Sequence, residues 1–221
     1  MIDVIVLGGG QGTRTDLPYN KVLHELKGKA IIRHAVEPFL KHDRIHNIIV
    51  VAAKDDVPRF RALFPEKNVL VVKGGKTRNE SVQEGLKAIE TEHVIIHDGA
   101  RPLVPEALID NVSGALNHHD AITCAIPLHD TIKRVKDKKV LSDIDRKGVY
   151  RIQTPQGFRT ALLREAYSRY ESDDGSFTCD ATLVQHLTGN AAVVVTGDER
   201  NIKFTTMEDQ KLMELMLGCI K

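Results

Sequence analysis

The chain has 221 residues, of which 42% are hydrophobic and 28% charged, and this balance predicts one soluble globular domain spanning residues 1–221. Its formal net charge of +1 gives no electrostatic basis for a nucleic-acid or membrane partner. Three cysteines without a CxxC pair fit neither a disulfide framework nor a zinc site, so a reducing cytoplasm is the expected compartment. The short N-terminal apolar run contains Asp3 and is expected to be a strand, not a signal sequence or membrane span.

Short β-branched runs alternate with amphipathic stretches along the chain. The apolar runs predict strands at residues 4–7, 47–53, 69–72, 94–97, 121–126 and 191–195. Periodic apolar positions predict helices at residues 30–41, 77–89, 105–117, 160–170, 180–187 and 207–217. Several strands are apolar at nearly every position, as is expected for strands covered on both faces. The pattern therefore predicts an α/β fold with three layers and a mostly parallel, twisted sheet.

Residues 129–152 interrupt this alternation. The segment is rich in Lys, Arg and Asp, and its apolar residues alternate only weakly. We interpret it as a β-arm that protrudes from the main sheet. A solvated hairpin is one interpretation of the arm. Contact with a second copy of the chain is the other, because an isolated two-stranded hairpin is marginally stable unless something packs against it.

A glycine-rich segment, LGGGQGTRTDLPYNK, follows the first predicted strand. Ligands of open α/β sheets bind beyond the carboxyl ends of strands, and glycines let backbone amides approach phosphate oxygens. Arg14 and Lys21 follow as cations suited to the same anion. The segment is not a Walker A loop, and Thr13 stands where a dinucleotide fingerprint requires its last glycine. Four glycines within five residues favour phosphate binding over a simple tight turn.

Eight short motifs occur along nearly the whole chain: GGGQGTR, GGKTRNESV, HDGARP, DTIKR, DR, QTPQGF, TCDA and NIKFT. In this order they resemble the 2-C-methyl-D-erythritol 4-phosphate cytidylyltransferases, enzymes of the non-mevalonate isoprenoid pathway. The resemblance implies a nucleotidyltransferase-type fold. It also implies transfer of a cytidylyl group from CTP to 2-C-methyl-D-erythritol 4-phosphate, with release of pyrophosphate.

The resemblance further implies roles for individual residues. Those matching the family's nucleotide-binding positions are Gly8, Gly9, Gly10, Gly75 and Ser81. Those matching the catalytic cations around the triphosphate are Arg14, Lys21 and Lys203. Those matching acceptor contacts are Asp98, Arg101, Thr131, Arg146, Thr154 and Thr178. Mg²⁺ is expected to be bound mainly through the CTP phosphates, with Asp98 as a further ligand. Thr131 and Arg146 are expected to reach the acceptor of a neighbouring subunit in a homodimer formed through the arm.

Several alternatives stay open at this point. The family's loop usually ends Pro-Lys-Gln, whereas this chain has Pro-Tyr-Asn-Lys, which leaves the register of Lys21 undecided. Ser81 alone also fits a solvent-facing hydroxyl, and Asp98 with Arg101 also fits a structural ion pair at a strand end. A ribitol 5-phosphate cytidylyltransferase shares most of the motifs, although HDGARP and DR favour the methylerythritol acceptor. A nucleotide-dependent oxidoreductase and a catalytically silent nucleotide-binding module are the alternatives of other classes.

Overall fold

The structure is a computed structural model in which residues 1–10, 17–171 and 177–219 are described. Its strands are β1 (Ile2–Leu7), β2 (Glu25–Leu26), β3 (Lys29–Ala30), β4 (Ile45–Ala52), β5 (Val69–Lys73), β6 (His93–Asp98), β7 (Ala121–Pro127), β8 (Ile132–Lys136), β9 (Lys139–Ile144), β10 (Tyr150–Arg159) and β11 (Val193–Thr196). Its α-helices are α1 (Ile31–Leu40), α2 (Val57–Leu63), α3 (Arg78–Leu86), α4 (Glu106–Ala115), α5 (Thr160–Ser168), α6 (Asp180–Thr188) and α7 (Met207–Cys219).

Seven of these strands form the main sheet, in the order β11–β7–β10–β6–β1–β4–β5. All neighbouring pairs are parallel except those of β10, which runs antiparallel to both β6 and β7. The chain reverses its strand order about β1, because β4 pairs with one side of β1 and β6 with the other. In open α/β sheets a ligand crevice forms at such a switch point.

The central strands are buried on both faces, which explains their continuous apolar sequences. In β1, Val4 and Val6 belong to the core cluster that contains residues of α1, α2, α4 and α7. Ile5, between them, belongs to the cluster on the other face with residues of α3, α5 and α6. Alternate side chains of a strand point to opposite faces of the sheet. The predicted three-layer α/β fold with a mostly parallel sheet is therefore confirmed.

Each predicted strand and helix coincides with an observed element, with small shifts at the ends. The sequence patterns missed α2, the short strands β2 and β3, and the long strand β10. The predicted arm is present as the β8–β9 hairpin, which forms its own two-stranded sheet with exposed side chains. The arm ends before residue 150, earlier than the predicted range of about 129–152, because residues 150–152 already pair with β7 in the main sheet.

Candidate active site

A cavity of about 370 Å³ opens at the carboxyl ends of β1 and β6. It is lined by Leu7, Gly9, Gly10, Lys21, Val22, Gly75, Lys76, Thr77, Arg78, Ser81, Asp98, Ala100 and Lys203. The structure thus brings together seven of the predicted site residues: Gly9, Gly10, Lys21, Gly75, Ser81, Asp98 and Lys203. Among the described lining residues four side chains are cationic and only Asp98 is acidic, so the cavity suits a polyanion.

Lys21 is placed in the cavity by a short 3₁₀ turn, Lys21–Leu23. Asn20 caps this turn, and its side-chain amide donates to the Gly8 carbonyl at 2.6 Å, which ties the turn to the end of β1. The Lys21 side chain is buried, and its Nζ donates to the Phe204 carbonyl at 2.6 Å. The unusual Pro-Tyr-Asn-Lys sequence therefore does deliver a lysine to the site.

Asp98 ends β6 and is held between two cations. Its Oδ2 accepts from Lys203 Nζ at 2.6 Å, and its Oδ1 lies 3.6 Å from Arg78 Nη2. Burial opposes ionisation of this carboxyl group, but the nearby charges of Lys203, Arg78 and Arg101 outweigh it and hold the pKa of Asp98 below its ordinary value. Asp98 is therefore an anion at neutral pH.

Arg78 begins α3 and connects Asp98 to a second, fully buried carboxylate. Its Nη2 donates to Asp180 Oδ2 at 2.7 Å, and the Tyr167 hydroxyl donates to Asp180 Oδ1 at 2.7 Å. Burial would lower the pKa of Arg78, but Asp180 and Asp98 raise it above its ordinary value. Sequence reasoning did not select Arg78 or Asp180. The GGKTRNESV motif contained the signal for Arg78, whereas nothing in the sequence indicated its pairing with Asp180, 102 positions away.

The glycines and Ser81 shape the cavity wall. A Cβ atom at Gly75 would lie 2.2 Å from the Glu80 Cβ, so only glycine fits there without movement of α3. A Cβ atom at Gly8 would meet the Phe60 ring at 2.5 Å, and Gly8 does not itself line the cavity. Ser81 is buried, and its hydroxyl donates to the Thr77 carbonyl at 2.8 Å. The solvent-facing interpretation of Ser81 is therefore wrong.

Thr154 supports Asp98 from inside the protein. Its buried Oγ1 accepts from the Asp98 backbone N–H at 3.0 Å and lies 3.2 Å from His97 Nδ1. Burial lowers the pKa of His97 to about 4, so the ring is neutral. Because His97 Nε2 faces the Arg101 carbonyl at 3.1 Å, that nitrogen carries the proton, and the Thr154 hydroxyl donates to Nδ1. His97 is thus a satisfied structural histidine.

Arg101 forms no ion pair with Asp98 in the described residues, so the alternative of a structural ion pair at the strand end is not observed. Its Nη1 donates to the Asn201 carbonyl at 2.7 Å, and Asn201 in turn donates from its side chain to the Thr154 carbonyl at 2.7 Å. Asn201 is fully buried, which fixes the segment that precedes Lys203 against β10. Arg101 therefore supports the cavity through its contact with the segment that precedes Lys203. Its positive charge also contributes to the lowered pKa of Asp98.

The remaining predicted site residues lie away from this cavity or outside the described part of the chain. Thr131, Arg146 and Thr178 are exposed and do not line it. Arg146 donates to the His129 carbonyl within the arm region. Arg14 lies outside the described residues. Across residues 1–10, 17–171 and 177–219, no group of three or more His, Cys, Asp and Glu side chains is arranged to hold a metal ion.

Gly9 and Gly10, four cationic side chains and a cavity at the switch point of a mostly parallel sheet are features typical of nucleotide-binding α/β proteins. A profile of the IspD family, 2-C-methyl-D-erythritol 4-phosphate cytidylyltransferase, matches residues 2–218. The chain therefore belongs to the 2-C-methyl-D-erythritol 4-phosphate cytidylyltransferase family, whose enzymes are nucleotidyltransferases.

Individual relatives agree with this assignment. The chain is 37% identical over 219 residues to the 2-C-methyl-D-erythritol 4-phosphate cytidylyltransferase of Bacillus velezensis, with 97% of this chain and 94% of that protein covered. It is 36% identical over 220 residues to the enzyme of the same name from Halalkalibacterium halodurans, with 97% and 96% covered. The solved 4-diphosphocytidyl-2C-methyl-D-erythritol synthase of Anaerococcus prevotii matches with a TM-score of 0.85 at 32% identity and covers 98% of this chain and 96% of its own.

Proposed function

We propose that this chain transfers a cytidylyl group from CTP to 2-C-methyl-D-erythritol 4-phosphate. An oxygen of the acceptor phosphate attacks the α-phosphorus of CTP and forms the new P–O bond. The bond from the α-phosphorus to the bridging oxygen breaks, and pyrophosphate leaves with its electron pair. The observation that carries the proposal is the convergence of Lys21 and Lys203 on one cavity beside Gly9 and Gly10, in a chain of this family.

The residues of the cavity supply charge and position in this reaction. Negative charge builds on the oxygens around the α-phosphorus during in-line displacement, and preorganised cations stabilise it. Lys21 and Lys203 are placed for this role, and Arg14 joins them by resemblance to the family. The attacking phosphate is already an anion, so the step requires no strong general base. Asp98, held as an anion, can accept hydrogen bonds from the acceptor's hydroxyl groups.

The described residues fit a magnesium ion that is held chiefly by the nucleotide. Mg²⁺ is commonly bound through one or two carboxylates together with substrate phosphates and water. Asp98 is the single carboxylate among the described lining residues, and Lys203 and Arg78 already engage it. The ion would neutralise phosphate charge in the transition state. We therefore propose Mg²⁺ as the cofactor, with Asp98 as its one protein ligand at most.

The acceptor pocket is proposed to include a second copy of the chain. Thr131 and Arg146, which the family resemblance assigns to the acceptor, are exposed on or beside the β8–β9 arm and do not line their own chain's cavity. A homodimer that exchanges arms would bring them to the neighbouring cavity. Val135, Val140 and Leu141 of the arm are exposed apolar residues that such contact would cover.

The relatives and the cavity also bear on the alternatives. Named relatives such as those of Bacillus pumilus and Bacillus velezensis are methylerythritol enzymes, which favours this acceptor over ribitol 5-phosphate. The family assignment rules against an oxidoreductase. Retained lysines in the cavity support turnover over a silent module.

Within the described part of the chain, no helix has the length and apolar character needed to cross a bilayer. A cytoplasmic location is proposed with the other assignments.

The test is an assay of the purified protein with CTP, Mg²⁺ and each candidate acceptor, with pyrophosphate release as the readout. We expect release with 2-C-methyl-D-erythritol 4-phosphate to exceed release with ribitol 5-phosphate. The reverse preference would change the substrate assignment. Binding of CTP without pyrophosphate release from either acceptor would favour the silent module instead.

A further inference from the structure

Five side chains form a continuous polar chain from the core to the cavity. The Tyr167 hydroxyl on α5 donates to Asp180 at the start of α6, at 2.7 Å. Asp180 pairs with Arg78 at 2.7 Å, Arg78 lies 3.6 Å from Asp98, and Asp98 pairs with Lys203 at 2.6 Å. Sequence separations of 102 and 105 positions between bonded partners show that the fold, not local structure, assembles this chain.

The two carboxylates have different environments. Asp180 is fully buried and accepts hydrogen bonds from Tyr167 and Arg78, so it is a fixed anchor for the guanidinium group. Asp98 lines the cavity and its side chain is 13% exposed, so it can meet a substrate. Arg78 therefore links the fixed carboxylate of Asp180 to the carboxylate of Asp98 in the cavity.

The cations around Asp98 indicate what Arg78 contributes to the site. Without Arg78, Asp98 would face Lys203 as its only close ion-pair partner and would neutralise a cation that the triphosphate requires. With Arg78 near Oδ1, the Asp98 carboxylate is shared between two cations and is not paired with Lys203 alone. The Arg78–Asp98 separation of 3.6 Å exceeds a hydrogen bond, and Arg78 Nη1 is buried without a hydrogen-bond partner among the described residues. The guanidinium group thus keeps an unused donor, and contacts of this kind often tighten only when substrate binds.

We propose that Arg78, anchored by Asp180, is a positioning residue that acts through Asp98. It holds the Asp98 carboxylate toward the acceptor and keeps Lys203 available to the CTP phosphates. This inference rests on the proposed function. It predicts that the effects of changing Arg78 on catalysis depend on the presence of the Asp98 carboxylate.

A double-mutant cycle tests this dependence, because residues that act through one another give non-additive effects. The variants are Arg78→Gln, Asp98→Asn and the two combined, each assayed for kcat and for the KM of both substrates. We expect Arg78→Gln alone to raise the acceptor KM about 10-fold and to raise the KM for CTP by a smaller factor, because Lys203 is then the only close cation of Asp98. In the Asp98→Asn background, adding Arg78→Gln should change the acceptor KM by less than about 2-fold.

Companion variants separate positioning from folding. Arg78→Gln leaves Asp180 buried without its cation, so Arg78→Gln with Asp180→Asn removes both charges and protects the fold. Arg78→Lys keeps the charge but supplies a point charge in place of a planar fork, so partial rescue of the acceptor KM is expected. Arg164→Gln is the matched control. Arg164 also ties α5 to the end of α3, by donating to the Leu86 and Ile89 carbonyls, but it does not line the cavity.

The outcomes distinguish this inference from the function on which it rests. Absence of turnover by the unaltered chain would overturn the proposed function and this inference together. Turnover by the unaltered chain with additive effects of Arg78→Gln and Asp98→Asn would overturn only the positioning role. An acceptor KM for Arg164→Gln raised as much as for Arg78→Gln would also overturn it, because loss of any helix tie would then be sufficient.

Discussion

Lys203 Nζ lies 2.6 Å from Asp98 Oδ2, and this ion pair joins the end of β6 to the segment before α7 across the candidate site. Both residues line the same cavity. A triphosphate that enters must therefore share Lys203 with a carboxylate already in place. The pair fixes the lysine side chain before substrate arrives, which is the preorganisation that electrostatic catalysis requires.

Removal of either of the two predicted catalytic lysines, Lys21 or Lys203, should depress turnover strongly. Lys21→Ala and Lys203→Ala each delete a cation near the developing charge, and loss of one such donor typically lowers kcat by about 10²–10³-fold. Arg14→Ala is expected to do the same from its family resemblance. Lys87→Ala is the control, because Lys87 is exposed on α3's C-terminal side and pairs with Glu84. Pyrophosphate release near the unaltered rate in all three site variants would contradict the mechanism.

Thr154 and Thr178, two of the three threonines that the resemblance assigns to the acceptor, should behave differently. Thr154→Val leaves the Asp98 N–H without its acceptor in a buried place, and we expect a loss of about 1–2 kcal/mol in the free energy of unfolding. Thr178 is exposed, so Thr178→Val should change this free energy by less than about 0.5 kcal/mol. Urea unfolding of both variants makes the comparison. Equal stability losses would show that Thr154 has no special supporting role.

Two glycines of the cavity wall allow a steric test. Alanine at Gly75 would place its Cβ 2.2 Å from the Glu80 Cβ, and overpacking of this kind typically costs about 1–3 kcal/mol. At Gly10 a Cβ would meet nothing within 4 Å, so Gly10→Ala should retain its stability. Calorimetric titration with CTP should then show weaker binding by Gly10→Ala, because the added methyl group stands where phosphate oxygens approach the backbone. Unchanged CTP affinity would remove Gly10 from the nucleotide site.

Hydrophobic patterns were sufficient for most of the framework because the sheet is buried on both faces. Continuous apolar runs such as residues 4–7 predict a covered strand without knowledge of its neighbours. Strand β10 was missed because its sequence, YRIQTPQGFR, has no apolar run and includes a proline. Its buried polar residues Gln153, Thr154 and Gln156 are satisfied by partners elsewhere in the fold, which local sequence does not reveal.

Individual residues of the site could be predicted from the sequence more readily than the contacts between them. Motif resemblance selected Asp98 and Lys203, and the structure places both in the cavity. It did not predict that Arg101 donates to the Asn201 backbone or that Arg78 is shared by two carboxylates. The Arg101–Asn201 and Arg78–Asp180 contacts join segments about 100 positions apart, so they follow from tertiary packing and have no local spacing signature.

The stability of the chain should fall in acid because of His97. Its folded-state pKa is about 4 against an ordinary value of 6.5, so the unfolded chain binds a proton at His97 more readily than the folded chain. Stability from this residue is complete above pH 6.5, declines as the pH falls, and is lost below about pH 4. The shift in the pKa of His97 corresponds to about 3 kcal/mol in the free energy of unfolding.

The measurement is the free energy of unfolding in urea between pH 7 and pH 4, for the unaltered chain and for His97→Gln. The difference in the free energy of unfolding between the unaltered chain and His97→Gln should narrow by up to about 3 kcal/mol as the pH falls, because the variant lacks the titrating ring. His118→Gln, at an exposed histidine, is the matched control and should follow the unaltered chain. A constant difference across the range would show that His97 is not held neutral by the fold.

Polar substitution of the arm should separate the proposed dimer. Val135 and Val140 are cross-strand partners on the β8–β9 hairpin and are 56% and 64% exposed. The paired change Val135→Lys with Val140→Glu makes this face polar while opposite charges across the strands preserve the hairpin. Sedimentation should then show one chain mass in place of two, and turnover should fall because Thr131 and Arg146 no longer reach the neighbouring acceptor.

Leu70→Glu provides the control for this change. Leu70 is an exposed apolar residue, 51% accessible, on β5 at the edge of the main sheet. The arm connects β7 to β10 along the chain, and these strands lie at least four positions from β5 in the strand order. This variant should remain dimeric and active, since only the arm is proposed to join the subunits. A fully active single chain, in the unaltered protein or in the arm variant, would show that each cavity completes its acceptor pocket without a partner. Thr131 and Arg146 would then have no part in acceptor binding across subunits.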